Sequence, residues 1–421
     1  MTKKSYQWAE GARLEEHTKR KHKILREYLA RYLAVRCQLP QQSRFRLAIV
    51  DGFAGGGRYS CGSAGSPIIF IEELRAATEQ FNVRRLAYGM SPIDIECLLV
   101  LNDANPKVVD LLKSNVEPLK AGTAAEVPRL HIFVEYRTLD FEALYPEAKA
   151  LLERGRYRNV LFSLDQYGHS HVHTNTIRDI MGSFPSAEIF YTFAIQSLLA
   201  FLTNSDPKLL SSQLNHLGVS SDDLRPLEAM MNKNAWLGAA ERLVFEAFRG
   251  CAPYVSPFSI HNPEGWRYWF IHFANSYRAR QEYNNVLHNN SSLQAHFGRS
   301  GLNMLRFDPT EEGSLYLFDI SGREKAKVEL TDDIPRLITE FGDVLGVGEF
   351  YEVIYKMTPA HMDDIHAAIM QNPDLEVLTQ NGGERRKATT ISPSDVLQMK
   401  QQRSFFPLFL GPTSVLDKKS E

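Results

Sequence analysis

The chain has little of several features that would place it in a special class of protein. Its 421 residues include four cysteines, which lie far apart and form neither a CxxC pair nor a zinc-ligand spacing. They are Cys37, Cys61, Cys97 and Cys251. No stretch reaches about eighteen apolar residues, and the N-terminal segment lacks the apolar core of a signal peptide. We therefore expect a cytoplasmic protein with reduced thiols and no membrane contact.

The chain also lacks a strong net charge. Its 48 Lys and Arg residues nearly balance its 50 Asp and Glu residues, so nucleic-acid binding would need local basic patches. Two patches exist, one from His17 to Arg36 and one in the segment GERRKA. The alternative interpretation is a solvated helix face and a solvated turn. The candidate nucleic-acid-binding residues are Lys19, Lys21, Lys23, Arg385, Arg386 and Lys387.

The length predicts more than one domain. Apolar residues three and four apart, among them Ile24, Leu25, Tyr28 and Leu29, predict that residues 1–45 contain a basic helix packed on the core. Residues 46–290 alternate apolar runs with helical patterns, and 207–250 are interpreted as a helical insertion. A polar, turn-rich stretch follows, and residues 300–410 are predicted to form a smaller α+β domain.

The apolar runs in residues 46–290 do not alternate with polar residues. Such runs are typical of strands that are covered on both faces, so they predict a parallel sheet between two layers of helices. The fold class is therefore α/β and Rossmann-like. In this class, ligands bind outside the carboxyl ends of the strands.

The first run ends in an acid and a glycine-rich turn, AIVDGFAGGGRYSCGSAGSP. Glycine allows the backbone to approach a ligand closely. The turn fits neither G-x-G-x-x-G nor a P-loop, which disfavours dinucleotides and nucleoside triphosphates. The candidate cofactor-binding residues here are Asp51, Gly52, Phe53, Ala54, Gly55 and Gly57.

Acids also follow the next two predicted strands. Asp103 suits a pair of ribose hydroxyls; the alternative is that it caps the helix that begins near Pro106. Asp140 suits an adenine amino group, and Phe141 could stack on the base.

The fourth strand is followed by Asp165, Gln166 and Tyr167, the candidate catalytic residues. A carboxylate and a backbone carbonyl can accept the hydrogens of a planar amine while an aromatic ring stacks on its face. S-adenosylmethionine is the cofactor that best fits four acids at four strand ends beside one glycine turn.

Three histidines follow, His169, His171 and His173, alternating with small residues. In a strand they would share one side and could bind a metal. No cysteine or carboxylate spacing completes such a site, so we expect loop residues and no metal.

Several stretches together resemble the three-Cys-motif partner family, TcmP. They are HTKRKHKILREYL, IVDGFAGGGRYSCGSAGSPIIFIE, LNDAN and LFSLDQYG, within residues 14 to 290. The resemblance implies a class I methyltransferase-like sheet, S-adenosylmethionine as cofactor and a partner protein with three cysteines. Gln166 stands where the family motif has proline, which would stiffen the loop.

Two functions follow from these observations. The first is an S-adenosylmethionine-dependent methyltransferase that acts on an amine of a nucleic-acid base, in DNA or RNA. The alternative is a catalytically inactive, methyltransferase-like protein that binds nucleotide or nucleic acid or regulates a partner. Gln166 is the residue that distinguishes them.

The C-terminal pattern predicts a hairpin around Ser321–Gly322 and then helix, strand, turn, strand and helix over residues 350–400. The second turn carries Arg385, Arg386 and Lys387, as in the wing of a winged-helix module. Such a wing could lie along a phosphate backbone.

Overall fold

The computed structural model describes residues 8–195, 197–198, 214–219, 233–261, 267–290, 294–297, 315–317 and 320–400. Part of the predicted insertion at 207–250 lies outside these residues.

Strands and helices alternate through the first half of the chain, as the apolar runs predict. Each strand is short and apolar, and each helix begins after a turn. The elements are α1 (Glu16–Arg36), β1 (Arg44–Asp51), α2 (Ser66–Ala87), β2 (Asp94–Asn102), α3 (Pro106–Glu126), β3 (Leu130–Arg137), α4 (Phe141–Arg154), β4 (Asn159–Leu164), α5 (Thr174–Ser183) and β5 (Ser186–Phe193).

The next part of the chain adds antiparallel strands to the same sheet. Its elements are α6 (Lys233–Arg249), β6 (Tyr254–His261), β7 (Arg267–Ala274), α7 (Tyr277–Asn289), β8 (Gln294–Phe297) and β9 (Leu315–Leu317). The strand order is β3-β2-β1-β4-β5-β7-β6-β8-β9. Strands β1 to β5 pair in parallel, and β7 pairs antiparallel with both β5 and β6.

The strand order reverses direction at β1, which lies between β2 and β4. Asp51, at the end of β1, pairs with Leu101 on one side and Ser163 on the other. The carboxyl ends of these three strands are therefore level with one another. A crevice at such a reversal is the usual ligand site of an open α/β sheet.

Helices cover both faces of the sheet, which confirms the predicted α/β class. Leu47 and Ile49 of β1 belong to a core shared with α1, α2, α3 and α7. Ala48 and Val50 point the other way, into a core shared with α4, α5 and α6. Successive strand residues thus enter opposite cores, which explains the continuous apolar run.

Helix α1 packs against α2 and α7 through the predicted apolar stripe. Arg26 forms ion pairs with Glu72 at 2.5 Å and Glu73 at 2.8 Å, both on α2. The buried Tyr28 hydroxyl donates to Glu188 on β5. Helix α1 is therefore tied to both a neighbouring helix and the sheet.

The described residues after Leu317 form a second, three-stranded antiparallel sheet with helices. The elements are α8 (Ile320–Glu340), β10 (Val344–Gly346), α9 (Val347–Ile354), α10 (Met362–Gln371), β11 (Leu375–Leu378) and β12 (Val396–Met399). The strand order is β10-β12-β11. Because β8 and β9 pair in the large sheet, that sheet continues past residue 290 to Leu317, and this C-terminal unit begins at Ile320.

Two local predictions for this region are wrong. Ser321 and Gly322 lie within α8 rather than in a hairpin turn. Ala326, Leu330 and Ile334 follow at intervals of four residues and are buried, so the helical period outweighs the Ser-Gly turn signal. The segment from Val396 to Met399, predicted as helix, is a strand paired with both β10 and β11.

The helices and the cysteines bear on the predictions about membrane contact and thiols. Within the described ranges, no helix has the length and apolar character needed to cross a membrane. The four cysteines are free, and all but Cys61 are buried.

Candidate functional site

The carboxyl edge of the parallel strands collects the four predicted acids. Asp51 is the last residue of β1, Asp103 follows β2 directly, and Asp165 follows β4 directly. Asp140 lies three residues after β3 and is the N-cap residue of α4. Asp51 is buried, Asp103 and Asp165 are half-buried, and Asp140 is exposed. The structure thus places acids of different accessibility along one edge.

Asp51 is enclosed at the centre of this edge. Its Oδ2 accepts a hydrogen bond of 2.6 Å from the Ser66 hydroxyl, and its Oδ1 accepts one of 3.3 Å from the Phe53 amide. Burial raises the pKa of Asp51 to about 7, although both hydrogen bonds favour the ionised form. Neighbouring Asp165 and Asp103 raise it further. Asp51 is therefore poised to change charge near neutral pH.

The glycine turn after Asp51 is closely packed by the protein itself. Gly55 has φ of +59°, and a Cβ there would lie 2.3 Å from Cζ2 of Trp8. A Cβ on Gly52 would lie 2.6 Å from the Phe141 ring. Gly57 also has a positive φ, +82°. Glycine is thus required here by both backbone conformation and packing.

An N-terminal strap, residues 8–12, covers the turn. Trp8 lies against Gly55 and Gly56, and its ring is 5.0 Å from that of Tyr59. The Ser60 amide donates to the Ala12 carbonyl at 2.8 Å. No periodic pattern in the sequence links Trp8 to the turn, so its position there was not predicted.

Asp103 lies beside the glycine turn and accepts two backbone hydrogen bonds. The Asn105 amide donates to Oδ1 at 2.9 Å, and the Gly55 amide also donates to the carboxylate. Burial raises the pKa of Asp103, and these donors oppose the rise. Asn105, rather than Asp103, caps α3 by accepting from the Lys107 amide. Asp103 therefore retains oxygen lone pairs for a ligand.

Asp140 and Phe141 occupy different environments. The Asp140 carboxylate makes no capping hydrogen bond, whereas its carbonyl accepts from the amides of Ala143 and Leu144. Phe141 is buried, with its ring centroid 5.8 Å from that of the half-buried Phe53. Phe53 is therefore the more accessible aromatic surface beside the turn.

Asp165 forms an ion pair with Lys21 of α1. Lys21 Nζ lies 2.5 Å from Asp165 Oδ1 and 3.5 Å from the Thr192 hydroxyl oxygen. The Lys21 side chain is 6% exposed and that of Asp165 is 31% exposed. Burial alone would raise the pKa of Asp165, but the Lys21 ammonium outweighs it and lowers the pKa. Asp165 is therefore held as a carboxylate.

Two histidines of α1 flank this ion pair. His17 stacks on Tyr268 with centroids 4.5 Å apart. Burial lowers the pKa of both His17 and His22 to about 4, and the Lys21 charge acts in the same direction. Both imidazoles are therefore neutral at pH 7.

The Gln166 side chain is buried and shapes the loop after β4. Its Nε2 donates to the Tyr191 hydroxyl at 2.6 Å, and its Oε1 accepts from the His171 amide at 2.9 Å. These contacts hold the loop by hydrogen bonds, where a proline would hold it by its ring. Tyr167 is exposed next to it.

The three histidines after Tyr167 are separated by the loop. His169 is buried near His216, and His171 is exposed, with its ring 6.3 Å from that of Phe53. His173 is the N-cap residue of α5. Among the described residues, no group of three potential metal ligands is found.

The predicted nucleic-acid-binding residues fall into two groups. Lys21 is buried at Asp165, and Arg385 forms a two-pronged ion pair with buried Asp395 at 2.9 and 3.0 Å. Lys19, which pairs with Glu16, and Lys23 are exposed on α1. Arg386 and Lys387 are exposed on the β11–β12 loop. Four of the six are therefore surface cations.

Lys21 as a partner of Asp165 is the main feature that the sequence analysis missed. The signal was present, because His17, Lys21, Ile24 and Tyr28 are three or four residues apart and all face the core. A lysine on the buried stripe of a helix needs an acid partner.

Comparison with known proteins adds no family to this description: no family model, curated protein or solved structure matches the chain. The fold and the site define a mixed α/β protein with a mostly parallel sheet and an acid-lined carboxyl edge.

Proposed function

We propose that the chain is an S-adenosylmethionine-dependent methyltransferase that acts on an amine of a nucleic-acid base. The observation that carries this proposal is the convergence of Asp51, Asp103 and Asp165 with the glycine turn. All four features lie at the reversal of strand order beside β1, where open α/β sheets bind their ligands.

The sheet supports the same proposal. Its order β3-β2-β1-β4-β5-β7-β6, with β7 antiparallel, resembles that of class I methyltransferases. This agrees with the resemblance of the segments around Asp51 and Asp165 to the TcmP family. Strands β8 and β9 extend the sheet beyond this order.

The residues present fit a nucleoside cofactor. Asp103 combines a half-buried carboxylate with free lone pairs and suits a ribose diol. Phe53 and Trp8 offer aromatic surfaces beside the turn, and exposed Asp140 suits an exocyclic amino group. The cofactor would supply an electrophilic methyl group.

Asp165 and Tyr167 would hold the amine that receives the methyl group. The Asp165 carboxylate is bonded to Lys21 through Oδ1 and also to the Thr192 side chain. Because a carboxylate has about four lone-pair sites, it can still accept an amine hydrogen. Tyr167, two residues on, has an exposed ring. A fixed amine keeps its lone pair aimed at the methyl group, and such positioning lowers the barrier.

A second candidate is binding without transfer, favoured by two contacts. Lys21 occupies one oxygen of Asp165, the carboxylate proposed to accept the amine hydrogens. Both polar groups of the Gln166 side chain are hydrogen-bonded within the protein. A protein of this kind would hold the nucleoside and act on a partner, as the resemblance to TcmP implies for a three-cysteine protein.

The C-terminal unit supports contact with nucleic acid. Its order of helix, strand, two helices and two strands, with β12 between β10 and β11, resembles a winged-helix module. Helix α10 packs against α7, and the Met362 amide donates to Asn285 at 3.2 Å. We therefore propose the β11–β12 loop, with Arg386 and Lys387, as the phosphate contact.

Calorimetric titration with S-adenosylmethionine and S-adenosylhomocysteine tests the cofactor. We expect both to bind, and Asp103→Asn to weaken binding about tenfold or more through loss of a charged acceptor. Asp110→Asn, at an exposed site on α3, is the matched control and should bind normally. Failure of the unmodified chain to bind either compound would refute the proposal.

Transfer of labelled methyl groups to DNA, RNA and protein, compared side by side, separates the two candidates. Label in nucleic acid that disappears in Asp165→Ala supports the enzyme. Cofactor binding with no transfer to any acceptor supports the binding protein.

A further inference from the structure

Helix α1 places the buried ammonium group of Lys21 beside the partly exposed carboxylate of Asp165. Lys21 is almost fully enclosed, whereas about a third of the Asp165 side chain is exposed. A molecule entering the site therefore meets the carboxylate and not the ammonium group. The carboxylate is bonded to Lys21 and to the Thr192 side chain, and its further lone pairs can accept hydrogens from a ligand.

The charges around this position nearly cancel. Lys21 and Asp165 sum to zero, and the imidazoles of His17 and His22 on the same helix are neutral at pH 7. Thr192, from β5, contributes an uncharged hydroxyl that contacts both Lys21 and the Asp165 carboxylate. Asp51 also interacts with Asp165, and burial raises the pKa of Asp51 to about 7, so that about half of it is uncharged at pH 7.

A neutral environment discriminates between two kinds of amine. An alkylammonium group must lose its hydration to enter, and a carboxylate already paired with Lys21 returns little of that cost. An uncharged amine needs only a hydrogen-bond acceptor, which the remaining lone pairs of the Asp165 carboxylate provide. The site therefore favours the uncharged amine.

We propose that Lys21 is a positioning and specificity-determining residue, which fixes Asp165 and cancels its charge so that the site accepts an uncharged nucleobase amine and rejects an alkylammonium group. This inference rests on the proposed function.

The test measures how the site responds to charge. S-adenosylmethionine carries a sulfonium charge that S-adenosylhomocysteine lacks, so the ratio of their affinities reports the local potential. In Lys21→Met, the unbalanced Asp165 carboxylate should shift this ratio toward S-adenosylmethionine by about tenfold, as expected for one charge within roughly 10 Å at an effective dielectric constant of about 20. Calorimetry at pH 8 measures both constants.

Three variants control for structural damage. Lys21→Arg retains the cation and Lys23→Met removes an exposed lysine from the same helix, so both should keep the ratio of the unmodified chain. Lys21→Met with Asp165→Asn removes both charges and should also restore it. A change caused only by loss of packing would persist in this double variant.

A second measurement addresses the acceptor. The unmodified chain should transfer labelled methyl to a DNA or RNA oligonucleotide and not to a lysine-rich peptide. Labelled peptide, or an unchanged affinity ratio in Lys21→Met, would overturn the role of Lys21. Where neither acceptor is labelled, the affinity ratio decides alone.

Absence of cofactor binding would overturn the proposed function and this inference together, whereas normal binding with an unchanged ratio overturns the inference only.

Discussion

The two aspartates at the carboxyl ends of the neighbouring strands β1 and β4 have opposite electrostatics. Among the described residues, Asp51 accepts hydrogen bonds from the Ser66 hydroxyl and the Phe53 amide, and burial raises its pKa to about 7. Asp165 has the Lys21 ammonium, which lowers its pKa despite burial. The comparison shows that a full countercharge decides ionisation where neutral donors do not.

The difference suits two roles. A carboxylate kept ionised can accept hydrogens from an acceptor amine throughout the neutral range. An acid with a pKa near 7, such as Asp51, can gain or lose its proton when a nearby charge changes. Four predictions, from the largest expected effect to the smallest, break or sharpen this comparison.

Removing the charge of Asp165, and so leaving Lys21 without its partner, should have the largest effect on stability. Asp165→Asn leaves the buried Lys21 ammonium without a carboxylate, and we expect a loss of about 3 kcal/mol in the free energy of unfolding. Chemical unfolding at pH 7 measures it. Adding Lys21→Met should recover part of the loss, because no buried charge then remains. Equal stability of Asp165→Asn and the unmodified chain would show that Asp165 does not offset the cost of burying the Lys21 ammonium group.

Asp51 should make stability fall as the pH rises. Its folded-state pKa of about 7 exceeds the unfolded value of 3.8, so the folded state binds more protons between these values. This contribution is fully present below about pH 4 and is lost as the pH passes 7. Relative to the unmodified chain, Asp51→Asn should therefore gain about 2–3 kcal/mol between pH 5 and pH 8. A parallel pH dependence of the two unfolding free energies would contradict this.

The Asp51 loop also depends on packing that the Asp165 loop lacks. Gly55→Ala combines a positive φ with a Cβ against Trp8, whereas Gly168→Ala, in the loop after Asp165, combines a positive φ, +95°, with no neighbour within 4 Å. We expect each to lose about 1 kcal/mol from backbone strain, and Gly55→Ala to lose roughly 1 kcal/mol more from crowding. Thermal unfolding of both measures the difference, which Trp8→Ala should abolish.

Asp395 extends the comparison to the C-terminal unit. Burial would raise its pKa, but the two-pronged contact with Arg385 lowers it, as Lys21 does for Asp165. Arg385 is therefore structural, and the phosphate contacts should be Arg386 and Lys387. Replacing both with alanine should flatten the log–log salt dependence of nucleic-acid binding by about 2. An unchanged slope would leave the exposed cations of α1 as the contact.

Much of the fold could be predicted from local patterns. The apolar run before Asp51 and the glycines after it mark a covered strand and its end, and the same logic placed Asp103, Asp140 and Asp165. The hairpin at Ser321 failed because a turn-forming dipeptide was weighed above the four-residue period of Ala326, Leu330 and Ile334. Local turn signals are weaker than packing along a whole helix.

By itself, the sequence determined the α/β class, the order of the first five strands along the chain and the acids that follow them, because these depend on hydrophobic period and chain order. The tertiary structure alone decided which residues share an environment. It paired Lys21 with Asp165 across 144 positions of the chain, set Trp8 on Gly55 and gave Asp51 the uncharged Ser66 hydroxyl as a donor. Ionisation depends on such distant neighbours and on burial, which no local pattern contains.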